Sequence, residues 1–258
     1  MYYPIQIPYT LSESFRGAVS YTEDTDPRSS DFVICLWEMQ PLSEEETSVT
    51  NVIVMDGCID LVVHFDAGRI GFSGMSKTEF DYRLDLPTRC FGARMKPGAF
   101  HQLFGLPASS AMDHFLPVND ADKDFDCGSF FSLPFSEAKA YFRNYLAEKS
   151  EGIVPNLFVG LFDELSDSPP ETVATLYDRL HYSPRQCQRL FAENYGFSPQ
   201  ATLSILRFQL CLKVLTSGAA SPGDILGITS YYDQAHFIND FKRNIGLTPF
   251  ELIRQYKA

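Results

Sequence analysis

The sequence predicts an α+β protein with a β-rich N-terminal unit, a helical linker and an all-α C-terminal domain. Apolar runs broken by Gly, Pro and Asp recur along residues 1–118, a spacing typical of short strands. Further along the chain, apolar residues recur at helical spacing. The C-terminal part also repeats one capped helical pattern after fifty residues. These three observations fix the expected order of the parts.

Charge and proline mark the boundary before the C-terminal domain. Residues 171–258 contain nine Lys/Arg and seven Asp/Glu, a net charge of +2, so the total of −12 leaves −14 on residues 1–170. The change falls near "SDSPPE", residues 166–171, where two prolines interrupt any helix. We therefore predict three parts, at residues 1–118, 119–168 and 169–258.

Composition restricts the class of protein. Hydrophobic residues make up 45% and charged residues 21%, which is ordinary for a globular protein. The opening "MYYPIQIPYTLSESF" lacks a leader pattern, and no segment approaches the roughly 18 to 20 apolar residues of a membrane helix, so we expect a cytoplasmic protein. The six cysteines are scattered without metal-ligand spacing, and we predict mostly reduced core residues.

The strand pattern of the N-terminal part favours a barrel or a sandwich. The runs are "DFVICLWEM", "NVIVMDGCIDLVVHF", "RIGFSGM", "FDYRLDL" and "RCFGARMKPGAFHQLFG". Within them, "IDLVVHFDAGRIGFSGM" predicts two strands joined by a turn at 66–68.

Two apolar stripes predict helices in the linker. The first comprises Ala138, Phe142, Tyr145 and Leu146, and the second comprises Val154, Leu157, Phe158, Leu161, Phe162 and Leu165. Two interpretations stay open: the helices pair two chains into a dimer, or they pack on their own barrel.

The repeat in the C-terminal part has the same landmarks twice. A shift of fifty places Ser183 on Asp233, Phe191 on Phe241, Gly196 on Gly246, and 198–199 on 248–249. Each copy therefore has a helix N-cap, a buried aromatic residue, a C-cap glycine and a second cap followed by proline. Ser183 and Gln186 also fit a capping box.

Each copy fits a helix-turn-helix, in which a second helix enters the major groove of DNA. The helix from Pro184 to about Tyr195 buries Cys187, Leu190 and Phe191 and leaves polar residues outside. Arg can bind guanine O6 and N7, and Gln can bind adenine N6 and N7. The predicted DNA-binding residues of this copy are Ser183, Arg185, Gln186, Gln188 and Arg189.

The second copy is predicted to read an adjacent groove segment. Ile225, Ile228 and Tyr231 would form its leading helix and turn, and Phe237 and Phe241 would anchor the following helix. The predicted DNA-binding residues are Gln234, Ala235, His236, Ile238, Asn239, Lys242 and Arg243. A long helix ending at Gly218 would connect the copies and hold them about 34 Å apart.

Residues 171–258 resemble the paired helix-turn-helix domain of AraC/XylS-type transcription regulators. The matching stretches are "SPRQCQRLFAENYGFSP" and "YYDQAHFINDFKRNIGLTPFELI". Tyr177 and Leu226 stand where the family usually has alanine, Asn239 where it has arginine, and Ser230 where it has a turn glycine. We therefore expect the second copy to read bases less strongly.

The resemblance implies a cupin-like β-barrel as an effector sensor in the N-terminal part. Its predicted ligand-binding residues are Phe65, Phe72, Phe80, Tyr82, Arg94 and His101, with Arg94 facing an anionic effector. His64, His101 and His114 are isolated in sequence, so no metal site is predicted, and no cofactor or catalytic motif is recognised.

The expected function is therefore sequence-specific transcription regulation rather than catalysis. The expected partners are double-stranded DNA, a small-molecule effector, a second copy in a homodimer and, for an activator, RNA polymerase. Two alternatives remain: a cupin-type enzyme with an accessory helical domain, and a protein-interaction module without DNA affinity.

Overall fold

The N-terminal part is built on antiparallel sheets. The computed structural model describes residues 2–5, 13–45, 47–74, 80–217 and 234–256. After a short helix, α1 (Glu13–Ala18), its strands are β1 (Val19–Asp24), β2 (Val33–Pro41), β3 (Thr47–Ile53), β4 (Ile59–His64), β5 (Arg69–Gly74), β6 (Phe80–Leu86), β7 (Cys90–Met95) and β8 (Phe115–Pro117). Six of them form one sheet in the order β1-β2-β7-β4-β5-β8, and β3 pairs with β6. The described strands do not close into a continuous ring.

Local sequence explains the central hairpin. β4 pairs antiparallel with β5 from Ile59 opposite Gly74 to His64 opposite Arg69. The chain reverses between them at 65–68, where Gly68 has a φ of 62°. This conformation is open to glycine without the steric cost that a Cβ brings. The predicted turn at 66–68 is confirmed.

The large sheet has two different faces, because successive side chains alternate. One face carries Leu61, Phe72 and Met95, which are fully buried beneath helices. The covering helices are α2 (Ala99–Phe104), α3 (Val118–Ala121), α4 (Cys127–Ser132) and α5 (Phe135–Ser150). The opposite face carries Trp37 and Val62 and shares a core with Val49 and Leu84 of the β3–β6 pair.

The helical region continues to the end of the described chain. Its helices are α6 (Leu157–Leu165), α7 (Val173–Leu180), α8 (Pro184–Tyr195), α9 (Pro199–Thr216), α10 (Gln234–Ile245) and α11 (Pro249–Tyr256). The sheet-rich unit followed by an all-α region confirms the predicted fold class. In the part of the chain that the structure describes, no helix is long and apolar enough to cross a membrane.

Three local predictions need correction. Val154 is 81% exposed and Leu157 is 46% exposed, because α6 begins only at Leu157 and Val154 lies in the preceding loop. Val159, which was not predicted, is buried instead. The last apolar run, residues 89–105, is not one strand, because β7 ends at Met95 and His101 lies on α2.

The cysteine prediction agrees with the structure. None of the six cysteines, all of which lie in the described part of the chain, forms a disulfide, and five of them are buried, namely Cys35, Cys58, Cys90, Cys187 and Cys211. Cys127 is partly exposed.

Candidate nucleic-acid interface

The first helix-turn-helix unit is fixed by capping interactions that the sequence encodes. The Thr172 side chain accepts a hydrogen bond from the Thr175 amide and caps α7. His181 follows α7 in the left-handed conformation, with a φ of 56°. Ser183 and Gln186 then form a reciprocal capping box at the start of α8, with proline at the first position. The bounds of α8 and the capping box are confirmed.

The inner face of α8 is buried and its outer face is polar and exposed. Cys187 and Phe191 are 0% exposed, and Tyr195 is 3% exposed. The outer face carries the four predicted base-reading side chains, all exposed: Arg185, Gln186, Gln188 and Arg189. The predicted cap, Ser183, is exposed as well. This helix therefore presents donors and acceptors to solvent along one side.

The four outer side chains differ in their hydrogen-bond and ion-pair partners. Arg189 Nη1 donates to both carboxylate oxygens of Glu193, at 3.0 and 3.1 Å. Gln188 Nε2 donates to the Tyr177 hydroxyl at 3.4 Å. Gln186 Oε1 is held by Ser183. Among the described residues Arg185 has no hydrogen-bond or ion-pair partner, so its guanidinium is ready for an external acceptor.

The second unit shows the same division on α10. Phe237 and Phe241 are buried at 1% and 0% exposure, as predicted. On the outside, Ala235, Asn239 and Lys242 are exposed, and Ile238 is partly buried against the core. The side chains of Gln234, His236 and Arg243 lie outside the described part, as do the predicted leading helix at Ile225, Ile228 and Tyr231 and the positions Leu226, Ser230 and Gly218.

The helix between the units, α9, is a buried connector. It has 18 residues, twelve of them buried, and spans about 27 Å at 1.5 Å per residue. Leu203, Leu206 and Leu210 are buried as predicted. Arg207 Nη2 donates to the Pro170 and Glu171 carbonyl oxygens at 2.9 and 2.7 Å and ties α9 to the segment before α7. The connector is thus packed on several sides and resists bending.

The C-terminal end of α8 docks on α6 of the linker. The Tyr195 hydroxyl donates to the Phe158 carbonyl oxygen at 2.7 Å, and its ring meets Phe162 edge-on at a centroid distance of 5.2 Å. The adjacent α9 makes a second contact, because Gln209 Nε2 donates to the Met55 carbonyl and its Oε1 accepts from the Ile5 amide, both at 2.8 Å. The outer, N-terminal half of α8 stays free of these contacts.

The predicted effector residues fall on different surfaces. Phe72 is fully buried against Phe100 and Phe104, with centroid distances of 4.9 and 4.7 Å. Phe65 packs edge-on against Phe135 at 5.1 Å. His101 Nδ1 lies 2.9 Å from the Leu106 carbonyl oxygen. The side chains of Phe80 and Tyr82 lie outside the described part.

Arg94 lies on the opposite sheet face from Phe72, among carboxylates. Its guanidinium lies 3.5 Å from Asp60, 3.8 Å from Asp56 and 3.8 Å from Glu23. Burial raises the pKa of Asp60 to about 6, and the nearby Asp56 adds to the rise, while Arg94 and the 3.1 Å hydrogen bond from Trp37 oppose it. With three carboxylates around one cation, the cluster carries excess negative charge when all are ionised.

A cleft that the sequence did not suggest lies between α5 and the edge of the sheet. Its volume is about 270 Å³, and its lining includes Leu36, Phe91 and Phe142. Two ion pairs cross it, from Lys139 to Glu38 at 2.7 Å and from Arg143 to Asp24 at 2.6 Å. The i, i+4 spacing of the two cations was the available signal for a shared helix face.

Comparisons with known proteins agree with this division of the chain. Residues 26–117 match a family described as a domain of unknown function, DUF6597, and residues 176–255 match a family described as a helix-turn-helix domain. No curated protein matches the chain.

Solved structures of ToxT from Vibrio cholerae are also similar. One, of a P21 crystal form, is 10% identical with a TM-score of 0.41, covering 93% of this chain and 100% of that one. Another, of the unsaturated fatty acid bound protein from strain SCE256, is 9% identical with a TM-score of 0.40, covering 92% of this chain and 94% of that one.

The match and the observed helices define the C-terminal region as a helix-turn-helix domain. The matched residues 176–255 lie within the stretch whose sequence resembles the paired helix-turn-helix domain of AraC/XylS-type regulators.

Proposed function

We propose that the chain is a sequence-specific DNA-binding transcription regulator whose N-terminal part senses a small molecule. The observation that carries the proposal is the outer face of α8, where Arg185 and Arg189 are exposed while Cys187 and Phe191 of the same helix are fully buried. A buried face fixes the helix, and exposed cations on the other face suit phosphates and guanine edges.

The repetition of this division on α10 supports reading of two groove segments. Lys242 and Asn239 are exposed while Phe237 and Phe241 are buried, and the packed α9 connects the two units. A stiff connector keeps two reading helices at a fixed spacing, which suits successive major grooves on one side of a duplex. Within this proposal, the DNA-binding residues are those predicted from the sequence.

In this proposal, effector binding belongs to residues 1–118, dimerisation to residues 119–168 and DNA binding to residues 169–258. The Arg94 cluster and the cleft beside α5 offer polar groups in the N-terminal part for an effector. Homodimerisation through residues 119–168 and, for an activator, contact with RNA polymerase belong to the same proposal. An effector would act by binding one arrangement of the two parts more tightly than another.

The test is salt-dependent binding of duplex DNA by the full-length protein. A specific duplex is first selected from a random pool, and the affinity is then measured from low to moderate salt for the parent and for an Arg185→Ala, Arg189→Ala double variant. Loss of two phosphate or base contacts should weaken binding at least tenfold and flatten the salt slope by about one to two.

The matched control is Arg83→Ala, which removes one positive charge from a 70% exposed side chain on β6. It should leave affinity and salt slope close to those of the parent. Equal binding by the parent and the double variant at every salt concentration would overturn the proposal.

A further inference from the structure

Residues 54–58, between β3 and β4, link the N-terminal sheet to the helices that follow it. Val54 is 1% exposed and belongs to the core formed by α9, α10 and α11, which includes Phe208. The carbonyl oxygen of the next residue, Met55, accepts a hydrogen bond from Gln209 Nε2 of α9 at 2.8 Å. The start of this segment is therefore joined to the connector helix both by packing and by a hydrogen bond.

The same segment contributes to the Arg94 cluster. The carboxylate of Asp56 lies 3.8 Å from the Arg94 guanidinium, and Asp60, two residues beyond the segment, lies 3.5 Å from it. A third carboxylate, that of Glu23, lies 3.8 Å from the same cation. Since one cation faces three carboxylates, removing one negative charge changes the electrostatic forces on Asp56.

Close packing limits how far the segment can move on its own. Gly57 has a φ of 81°, and a Cβ placed there would lie 2.8 Å from the Phe162 ring and 3.4 Å from Cγ of Pro97. The Asp56 carbonyl oxygen accepts a hydrogen bond from the Tyr2 hydroxyl at 2.6 Å. Because there is little empty space around this backbone, a shift of Asp56 displaces the neighbouring residues with it.

Gln209 is the residue through which such a displacement reaches α9. Its side chain is buried, and both ends of its amide are used, because Nε2 donates to the Met55 carbonyl and Oε1 accepts from the Ile5 amide, both at 2.8 Å. A buried polar group that loses its partner carries a desolvation cost, so a displacement of the Met55 carbonyl oxygen favours a matching displacement of α9. The helix α9 in turn connects the two helix-turn-helix units.

We propose that Gln209 is a positioning residue that couples the Arg94 cluster to α9, so that removing a negative charge from the cluster changes the affinity for DNA. The inference rests on the proposed DNA-binding function and specifies how the N-terminal part regulates it. Coupling between two sites is reciprocal, so DNA bound by the helix-turn-helix units also alters the surroundings of the cluster.

The experiment is a double-mutant cycle, measured as the affinity of the full-length protein for a duplex selected from a random pool. At about pH 8, where Asp60 with its pKa of about 6 is ionised, Asp60→Asn removes a charge from the cluster. Asp85→Asn makes the same change at a 77% exposed side chain of β6. The two variants should differ in affinity by about fivefold or more. In a Gln209→Met background, which lacks both hydrogen bonds, the difference should fall below about twofold.

Gln102→Met is the matched control for the Gln209 substitution. Gln102 also uses both ends of its amide, since it donates to the Val154 carbonyl oxygen at 2.8 Å and accepts from the Asn156 amide at 2.9 Å. These contacts join α2 to the loop before α6 and do not involve α9. In a Gln102→Met background the difference between Asp60→Asn and Asp85→Asn should stay as large as in the parent, which separates coupling from a general loss of stability.

A second measurement uses the parent protein and does not depend on the folding of any variant. Trp37 is the single tryptophan of the sequence, and its Nε1 donates to Asp60 at 3.1 Å. Titration with the selected, unlabelled duplex should change the fluorescence emission of Trp37 with the same midpoint as DNA binding. A duplex of scrambled sequence at the same concentrations should leave the emission unchanged.

Equal affinities of Asp60→Asn and Asp85→Asn would overturn the inference. An affinity difference that persists in the Gln209→Met background would overturn it as well, and so would a Trp37 emission that the selected duplex leaves unchanged. Failure of the proposed function looks different, because the parent would then show no salt-dependent binding of any duplex. The inference would fall with it.

Discussion

The Tyr195 hydroxyl and the Phe158 carbonyl oxygen join α8 to α6 by a buried 2.7 Å hydrogen bond. Burial raises the pKa of the Tyr195 hydroxyl, which keeps it protonated as a donor. The bond lies at the C-terminal end of α8, while the exposed arginines lie near its N-terminal end. The same helix thus carries both the contact with α6 and the outer polar face.

We expect Tyr195→Phe to lower the free energy of unfolding by about 1 to 2 kcal/mol. The substitution keeps the ring and leaves the buried Phe158 carbonyl without its donor, which costs the desolvation of that group. Urea unfolding of the two proteins measures the difference. Tyr177→Phe is the control, because its hydroxyl contacts the exposed Gln188 and its loss should change stability little. Equal loss in both variants would contradict the role of the buried bond.

Gly196 should tolerate alanine less well than Gly152 does. Both have positive φ, 80° and 71°, so each substitution carries a left-handed strain of roughly 1 to 2 kcal/mol. At Gly196 a Cβ would also lie 3.1 Å from Met112 Cγ and 3.2 Å from the Ser109 amide nitrogen, whereas at Gly152 it meets nothing within 4 Å. Thermal unfolding should therefore show a larger loss for Gly196→Ala than for Gly152→Ala. Similar losses in the two variants would mean that Met112 and Ser109 move aside without an energetic cost.

The buried Asp60 should make stability depend on pH between about 4 and 6. Its folded-state pKa is raised to about 6, so the folded state binds this proton more tightly than the unfolded state. The protonated Asp60 therefore contributes up to about 3 kcal/mol to the free energy of unfolding. This contribution is fully present at pH values below the unfolded-state pKa of Asp60 and is lost as the pH rises through about 6. Asp60→Asn should remove this component from the difference between unfolding free energies at pH 4 and 7.

The exposed carboxylate Asp85 provides the control for that measurement. Its side chain is 77% exposed, and Asp85→Asn makes the same chemical change outside the Arg94 cluster. A parent profile that Asp60→Asn leaves unchanged would show that Asp60 titrates normally.

Removing the carboxylate that holds Arg189 should strengthen DNA binding. Glu193 accepts from Arg189 at 3.0 and 3.1 Å, and its charge opposes phosphate. Glu193→Gln should raise affinity a few-fold at low salt, with the gain shrinking as salt rises. Glu164→Gln makes the same charge change at an exposed position of α6 and should have little effect. A fall in affinity for Glu193→Gln would show that the pair orients Arg189 productively.

The exposed apolar segment before α6 allows a test of the proposed homodimer. Val154 is 81% exposed, beside Ile153 at 38% and Leu157 at 46%. If this surface pairs two chains, Val154→Asp should raise the dimer dissociation constant at least tenfold in analytical ultracentrifugation, because it buries a charge. Leu42→Asp, at a 58% exposed leucine elsewhere, should not. Identical self-association of both variants and the parent would exclude pairing at this segment.

Local signals made the helices of the helix-turn-helix domain predictable, whereas the interior of the N-terminal part could not be predicted. Ser183, Pro184 and Gly196 encode the ends of α8 within a few residues of chain, so its bounds follow from the sequence. The Arg94 cluster draws on Glu23, Asp56 and Asp60, and no local periodicity brings distant residues to one point. Arg94 was therefore expected to be available to an anion, whereas the folded chain surrounds it with carboxylates.

Val154 shows a second limit of periodicity. Its spacing continues the apolar stripe of α6, but Pro155 and the Asn156 cap start the helix after it. A stripe alone does not define where a helix begins, whereas the cap does. The Tyr177–Gln188 contact was beyond prediction for a related reason, since it depends on the angle between α7 and α8.

The aromatic junction has a practical consequence for truncation. Truncating the chain before α7 would remove Phe158 and Phe162 from their contacts with Phe191 and Tyr195. The C-terminal fragment would then expose a hydrophobic surface. Such a fragment would be prone to aggregate, so a DNA-binding measurement on it would reflect aggregation instead of sequence preference.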